Sequence, residues 1–251
     1  MDSKWFRRYG QAGPGEPGSP RLICFPHAGG AASAYAGLAR LLAPHFDVLA
    51  VQYPGRQDRR RETPERGITS LAGRIAARLL EGGPGPYVFF GHSMGALVAY
   101  ETARTLQRWG STGPDRLFLS GRGAPGMTPS PHDQLDGDGA ILAAVRRLGG
   151  TDAAVLDDPE LLDMALPPLR ADYAALASYR WGPDPVLDIP VTVLVGADDP
   201  VVPVEAADGW RERTTLESEL LVFPGGHFYL GGQLGEVAEV MVDRAGVRTR
   251  S

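Results

Sequence analysis

Tyr87-Val88-Phe89-Phe90-Gly91-His92-Ser93-Met94-Gly95-Ala96-Leu97-Val98-Ala99-Tyr100 is the stretch that decides the fold. An apolar run of strand type ends at Gly91, and a helical pattern opens at Ala96, which leaves room only for a sharp turn. Ser93 stands in that turn between two glycines. The spacing G-x-S-x-G arises often by chance. Preceded by a strand and followed by a helix, it is a nucleophile elbow, with the serine hydroxyl exposed at the end of a sheet strand. Gly91 and Gly95 lack Cβ atoms, so strand and helix can approach closely around a strained serine.

Outward from the elbow the chain alternates. Arg21–Phe25 and Asp47–Tyr53 are strand patterns, and so is Arg116–Ser120. Between them, Ser33 caps a helical pattern through Tyr35, Leu38, Leu41 and Leu42, and Ile68–Leu80 places Leu71, Ile75, Leu79 and Leu80 on one face. The order β-α-β-α-β-α-β predicts a mostly parallel sheet with helices on both faces. The rhythm stops after Ser120. Residues from about 122 to 185 carry loop chemistry and two helical patterns, Ala140–Leu148 and Pro159–Tyr179, with Pro167-Pro168 expected to bend the second. This stretch is read as a helical lid inserted over the sheet edge, its apolar residues closing the lid on the body or lining a substrate channel. Strands Ile189–Val195 and Glu219–Phe223 follow, with helices over Val204–Arg213 and Gln233–Arg244. Residues 1–20, rich in Gly and Pro, are expected to form a flexible arm, pinned at most through Trp5 and Phe6. Residues 21–251 then make a single domain.

The 251 residues carry 25 basic and 30 acidic side chains, a net charge of −5 that gives no reason to expect nucleic-acid binding. Lys4 is the only lysine, which excludes chemistry needing an interior lysine. Cys24 is the only cysteine, so no intrachain disulfide or multi-thiolate metal site can form. No stretch approaches a membrane span and no signal-peptide pattern opens the chain, so a cytoplasmic monomer without membrane contact is expected. The chemistry of a serine nucleophile calls for no cofactor and no metal.

A serine hydroxyl needs a base within hydrogen-bond reach, and the base needs an orienting carboxylate. Among the five histidines, His227 follows the last strand in a Gly-Gly-His loop at the carboxyl edge of the sheet, where active sites of open α/β sheets form. His92 adjoins Ser93 and points away from it in a tight elbow. The acid belongs between nucleophile and base in the chain. Strand Ile189–Val195 delivers Asp198 and Asp199 to the same edge, and the turn at Asp199-Pro200 favours Asp199 over Asp198. Two backbone N–H groups are required for the oxyanion, and Met94 and Ala28 are the candidates. His27, in the same loop as Ala28, either orients that loop or contacts substrate. Arg56, Arg59, Arg60, Arg61 and Arg66 form a basic run on an acidic protein, either a solvated loop or an electrostatic landing site for an acidic partner.

Four stretches together resemble the external, or type II, thioesterases that act beside modular polyketide synthases and nonribosomal peptide synthetases. They are Leu22-Ile23-Cys24-Phe25-Pro26-His27-Ala28-Gly29-Gly30, Tyr53-Pro54-Gly55-Arg56, Gly91-His92-Ser93-Met94-Gly95-Ala96 and Gly225-Gly226-His227-Phe228. The resemblance spans about residues 20 to 240 and is weakest in the lid. It implies an α/β-hydrolase fold. It also implies hydrolysis of acyl groups from the phosphopantetheine arm of acyl or peptidyl carrier proteins, as an editing step that unblocks the synthase. It gives Arg56, Arg59 and Arg60 a candidate partner, since carrier proteins are typically acidic. The rival readings on the same residues are a carboxylesterase or lipase, an acyl-transferring or cyclising enzyme, and a catalytically idle hydrolase fold used for binding.

Overall fold

The computed structural model describes residues 1–9, 20–83, 85–126, 130–150, 156–182 and 186–247. Among them seven strands form one sheet: β1 (Phe6–Arg8), β2 (Arg21–Phe25), β3 (Asp47–Val51), β4 (Tyr87–His92), β5 (Arg116–Ser120), β6 (Val191–Gly196) and β7 (Ser218–Phe223). Their spatial order is β1-β3-β2-β4-β5-β6-β7, antiparallel at β1 and parallel elsewhere. Successive residues of the central strands serve opposite faces, as the two-residue period of a strand requires. Leu22, Cys24, Val88, Phe90 and Phe118 join one core. Ile23, Phe25, Phe89, Leu117 and Leu119 join the other.

Helices α1 (Ala36–Leu42), α2 (Ile68–Glu81), α3 (Met94–Arg108), α4 (Gly137–Leu148), α5 (Pro159–Ser178), α6 (Val204–Asp208) and α7 (Leu230–Arg244) cover the two faces. Leu38 and Leu42 of α1 and Val237 and Met241 of α7 bury against the first core. Leu71, Ile75 and Leu79 of α2 and Leu97 and Tyr100 of α3 bury against the second. From β2 the chain steps outward to β3, then returns to place β4 on the other side of β2. The strand order therefore reverses between β2 and β4, and the crevice at their carboxyl ends is where such sheets hold ligands. The elbow of Ser93 and the loop of Ala28 both leave the sheet at that crevice.

The structure departs from the sequence reading in its first residues. Phe6–Arg8 is an edge strand on β3, and Trp5 and Phe6 are buried. The guanidinium groups of Arg59 and Arg74 stand over the Trp5 ring, 4.2 and 5.1 Å from its centroid. The first nine residues are thus part of the body rather than an arm; the Gly/Pro-rich residues 10–19 lie outside the described residues. Other differences are local. Leu41 and Leu80 sit on the solvent side of their helices. Ser33 caps no helix, and its hydroxyl accepts from Gln57 within a 3-10 turn over Ala32–Tyr35. The helix at Val204 ends at Asp208 and passes into a 3-10 turn over Gly209–Arg213.

Between β5 and β6 the described residues hold helices and no strand, as read from the sequence. Helix α5 runs on through Pro167-Pro168. The two prolines divide it by environment. Leu161 and Met164 before them are exposed, whereas Leu169, Tyr173 and Leu176 after them are buried on the body.

Trp5→Ala removes the ring that joins β1 to α2 and Arg59. It is expected to lower the unfolding free energy by about 3 kcal/mol, the usual cost of truncating a buried aromatic. Urea denaturation measures it, and a change below about 1 kcal/mol would return residues 1–9 to a loosely attached arm.

Candidate active site

Ser93 has φ +56° and ψ −119°, one of two described non-glycine residues with positive φ. Its surroundings hold it in this costly conformation. Its N–H donates to the Ser120 carbonyl at the end of β5, at 2.8 Å. A Cβ on Gly95 would come 1.9 Å from the Phe25 carbonyl oxygen, and one on Gly91 would come 2.3 Å from the Gly95 oxygen. Both flanking glycines are therefore fixed by contact with backbone that cannot yield.

The hydroxyl of Ser93 lies 2.9 Å from Nε2 of His227, and Nδ1 of His227 lies 2.8 Å from Oδ2 of Asp199. The second carboxylate oxygen of Asp199 accepts from the N–H groups of Val201 and Val202 at 2.9 and 3.1 Å. A carboxylate bonded in this way accepts from His227, so the ring carries its proton on Nδ1 and leaves Nε2 free to take one from Ser93. The Asp199 side chain is fully buried and that of His227 is 3 % exposed, so the pair works out of water. Asp198 is exposed. Its N–H donates to the Gly225 carbonyl at 2.9 Å, which ties the β6 loop to the histidine loop.

Oxyanion stabilisation needs donors not already spent within the protein. Within the loop after β2, Gly29, Gly30 and Ala32 have bonded N–H groups: Gly29 to Asp172, Gly30 to the His27 carbonyl and Ala32 to Gln52. Neither the Ala28 N–H nor the Met94 N–H donates to an acceptor among the described residues. Met94 is the first residue of α3, where the helix dipole also favours negative charge. Ala28 and Ser93 line one cavity with His27, His227, Tyr173 and Phe228. That cavity is small, about 20 Å³, room for a single water.

His27 packs edge-on against Phe228 with ring centroids 4.9 Å apart. Burial, then the proximity of His227 and Arg56, lowers its pKa to about 4, so the ring is neutral at pH 7. His92 is buried and bonds through Nδ1 to Ser120 at 2.9 Å, away from the serine hydroxyl as expected. A larger cavity of about 380 Å³ lies between the body and the lid, lined in part by Leu97, Ala124, Leu176, Tyr179, Trp181 and Val202. Among the described residues no group of three or more His, Cys, Asp or Glu could hold a metal ion, and no helix is long and apolar enough to cross a membrane.

The arginine run divides. Arg56 is buried, ion-paired to Asp172, and donates to the carbonyls of Gly30 and Pro54 at 2.9 and 2.8 Å. Arg59 is buried, bonds the Gln52 carbonyl at 2.6 Å and pairs with Glu62. Neither presents its charge to a partner, which corrects their assignment to a docking patch. Arg60, Arg61 and Arg66 are exposed. Asp172 is a residue that the sequence reading missed. Its signal was a carboxylate inside the apolar stripe Leu169, Tyr173 and Leu176 of α5. Burial raises its pKa, while Arg56 and the Gly29 N–H oppose that rise.

Residues 20–244 match the sequence model of the thioesterase domain. A Streptomyces griseus protein described as a probable cadicidin biosynthesis thioesterase is 46 % identical over 235 residues, which are 94 % of this chain and 64 % of that protein. Thioesterase PikA5 of Streptomyces venezuelae is 42 % identical over 95 % of this chain and 84 % of its own. The solved structure of the type II thioesterase BorB, from the borrelidin biosynthetic cluster, superposes with a TM-score of 0.87 at 41 % identity, covering 97 % of this chain and 98 % of that one. These likenesses agree with the resemblance read from the four sequence stretches. The chain belongs to the thioesterase family, on the α/β-hydrolase fold.

Proposed function

We propose that this protein is a serine thioesterase that hydrolyses acyl groups from the phosphopantetheine arm of carrier proteins, clearing a polyketide or nonribosomal peptide synthase. The observation that carries the chemistry is the continuous relay Ser93–His227–Asp199 facing two uncommitted N–H groups. Ser93 Oγ attacks the thioester carbonyl carbon while His227 Nε2 takes the hydroxyl proton. Asp199 holds the imidazole and stabilises its positive charge. The carbonyl oxygen becomes an oxyanion that receives the N–H groups of Ala28 and Met94. The C–S bond breaks and His227 returns the proton to the thiol. Water, deprotonated by His227, then attacks the acyl-serine, and collapse of the second tetrahedral intermediate frees the carboxylic acid and Ser93.

The relatives described as a cadicidin biosynthesis thioesterase and as a type II thioesterase of the borrelidin biosynthetic cluster support a substrate drawn from a biosynthetic synthase. The 380 Å³ cavity offers Leu97, Leu176, Trp181 and Val202 to an acyl chain, with Arg122, Asp133 and Arg180 also in its wall, and shares no lining residue with the small cavity at Ser93. An acidic carrier finds its complement in Arg60 and Arg61. The carboxylates of their loop are already engaged, Asp58 by Arg7, Glu62 by Arg59 and Lys4, and Glu65 by Arg74. Arg60 and Arg61 form no ion pair among the described residues, so their charge is available to a partner.

A panel of acyl-carrier thioesters and matched oxygen esters tests the reading. Ser93→Ala is expected to abolish turnover of the thioesters, and a higher kcat/KM on the oxygen esters would favour a carboxylesterase instead. Asp199→Asn should lower kcat by roughly 10⁴, as when a triad loses the tautomer its histidine needs. Asp198→Asn should stay close to wild type, and its inactivation would move the acid by one residue. The double variant Arg60→Glu/Arg61→Glu is expected to raise KM for acyl-carrier several-fold at low salt and leave a small acyl thioester unchanged. Equal changes on both substrates would remove these arginines from docking.

A further inference from the structure

Side chains from outside the loop that supplies Ala28 hold four of its backbone groups. The Phe25 carbonyl accepts from the Tyr35 hydroxyl at 2.6 Å and the Pro26 carbonyl from the Tyr53 hydroxyl at 3.1 Å. The two positions that follow Ala28 are held by charge. Asp172 Oδ2 accepts the Gly29 N–H at 2.7 Å and pairs with Arg56. Arg56 Nε donates to the Gly30 carbonyl at 2.9 Å, and its guanidinium packs 5.0 Å from the centre of the Tyr53 ring. Both side chains of the ion pair are almost fully buried, at 4 and 3 % exposure. One carboxylate oxygen and one guanidinium thus grip the peptide groups that follow Ala28, one through a donor and one through an acceptor.

A buried ion pair is a costly way to hold two helices or loops together, since apolar packing does it as well or better. What a charged pair supplies that apolar contact does not is direction, because its hydrogen bonds fix the rotation of a peptide plane. Asp172 comes from α5, in the half of the lid helix that is packed on the body, 116 residues along the chain from Arg56.

We propose that Asp172 and Arg56 are positioning residues for the oxyanion hole: the lid helix, through this pair, sets the orientation of the Ala28 N–H. This rests on the functional reading above, in which that N–H receives the oxyanion. The pair touches neither the nucleophile nor its base, so its effect falls on the charged intermediate rather than on substrate binding or on proton transfer. It also makes the catalytic loop dependent on a residue outside the β-α repeat. A lid helix displaced from the body would leave Ser93, His227 and Asp199 assembled beside a misdirected donor.

The test uses Asp172→Asn in the full chain, with a small acyl thioester and an acyl trifluoromethyl ketone. Ser93 Oγ adds to the ketone carbon, the C=O electrons move to oxygen, and the serine proton passes to His227, so the adduct places a stable oxyanion in the hole. Asparagine keeps the size of the side chain and loses the charge that Arg56 faces. The expected result is a kcat lowered by about 10-fold or more, a fraction of the ~10²–10³ lost with a whole oxyanion donor. KM should stay within about twofold, and Ki for the ketone should rise by the same factor as kcat/KM falls. A folded variant with unchanged kcat/KM overturns the inference, and so does a loss of kcat with unchanged ketone affinity, which would mark a merely structural role. Should Asp172→Asn fail to fold, Arg56→Lys takes its place. A single ammonium cannot serve the Gly30 carbonyl and Asp172 as the fork does, so a smaller but parallel change in kcat and Ki is expected, and no change overturns the inference. A wild-type protein without Ser93-dependent hydrolysis overturns the functional reading itself, whereas an active wild type with an unaltered variant overturns this inference alone.

Discussion

Everything at the site depends on one strained peptide turn. Ser93 holds a backbone conformation that few non-glycine residues adopt, and it does so because the sheet leaves it no other. Its N–H is tied to β5 through Ser120, while Gly91 and Gly95 let the helix axis come within backbone contact of β2 and of the elbow itself. The same closeness that strains the serine also brings the amino end of α3 beside the carboxyl end of β2. Met94 opens the first, and Ala28 lies in the loop that leaves the second. The placement of the two proposed oxyanion donors is therefore a consequence of how tightly β2, β4 and α3 pack, and a Cβ at position 95 would push them apart before it touched any reacting group.

Around that turn, buried polar groups are satisfied in pairs with one role each. Asp199 divides its two oxygens between His227 and the N–H groups of its own loop, so the carboxylate is fixed before the imidazole meets it. Desolvation strengthens such hydrogen bonds and penalises any that go unmade, so the buried carboxylate of Asp199 depends on keeping its bonds to His227, Val201 and Val202. Asp198, one residue away, sees water and contributes its backbone instead. Buried His92 packs against the His227 ring, and half-buried His27 packs against His92. Burial depresses the pKa of both, chiefly through desolvation and secondarily through neighbouring imidazoles, so neither adds a competing positive charge beside the base at neutral pH.

Much of this was legible in the sequence because it is written in local chemistry. The strand-turn-helix around Ser93 follows from apolar periodicity and two glycines, and β2 and β5 fall on the residues where the patterns put them. Asp199 and His227 could be found because each lies in the loop that follows a strand of a parallel sheet, and parallel strands deliver their carboxyl ends to one edge. Where the reading failed, the deciding partner was remote in sequence. Phe6–Arg8 is too short and too charged to announce a strand, and it becomes one only because β3 offers an edge and Arg59 and Arg74 cover Trp5. Arg56 and Arg59 looked like surface charge because a run of arginines usually is solvated. Burial of the first depends on Asp172, and of the second on Gln52, Glu62 and Trp5, none of which the local pattern can announce.

The lid shows how the two kinds of information combine. Its helical periodicity was readable, and its division was marked by Pro167-Pro168, but the function of that division was not. Before the prolines, α5 carries exposed Leu161 and Met164; after them, it carries Asp172 into the body and Tyr173 against the catalytic cavity. A proline pair inside a helix sacrifices intrahelical hydrogen bonds, so the two halves are less strongly coupled than those of an uninterrupted helix. Tyr173 and Asp172 both lie in the docked half, so one half of the helix walls the cavity beside Ser93 and grips the loop of Ala28. That half therefore ties the wall of the cavity to the loop after β2, and a change in how it docks would be felt at both.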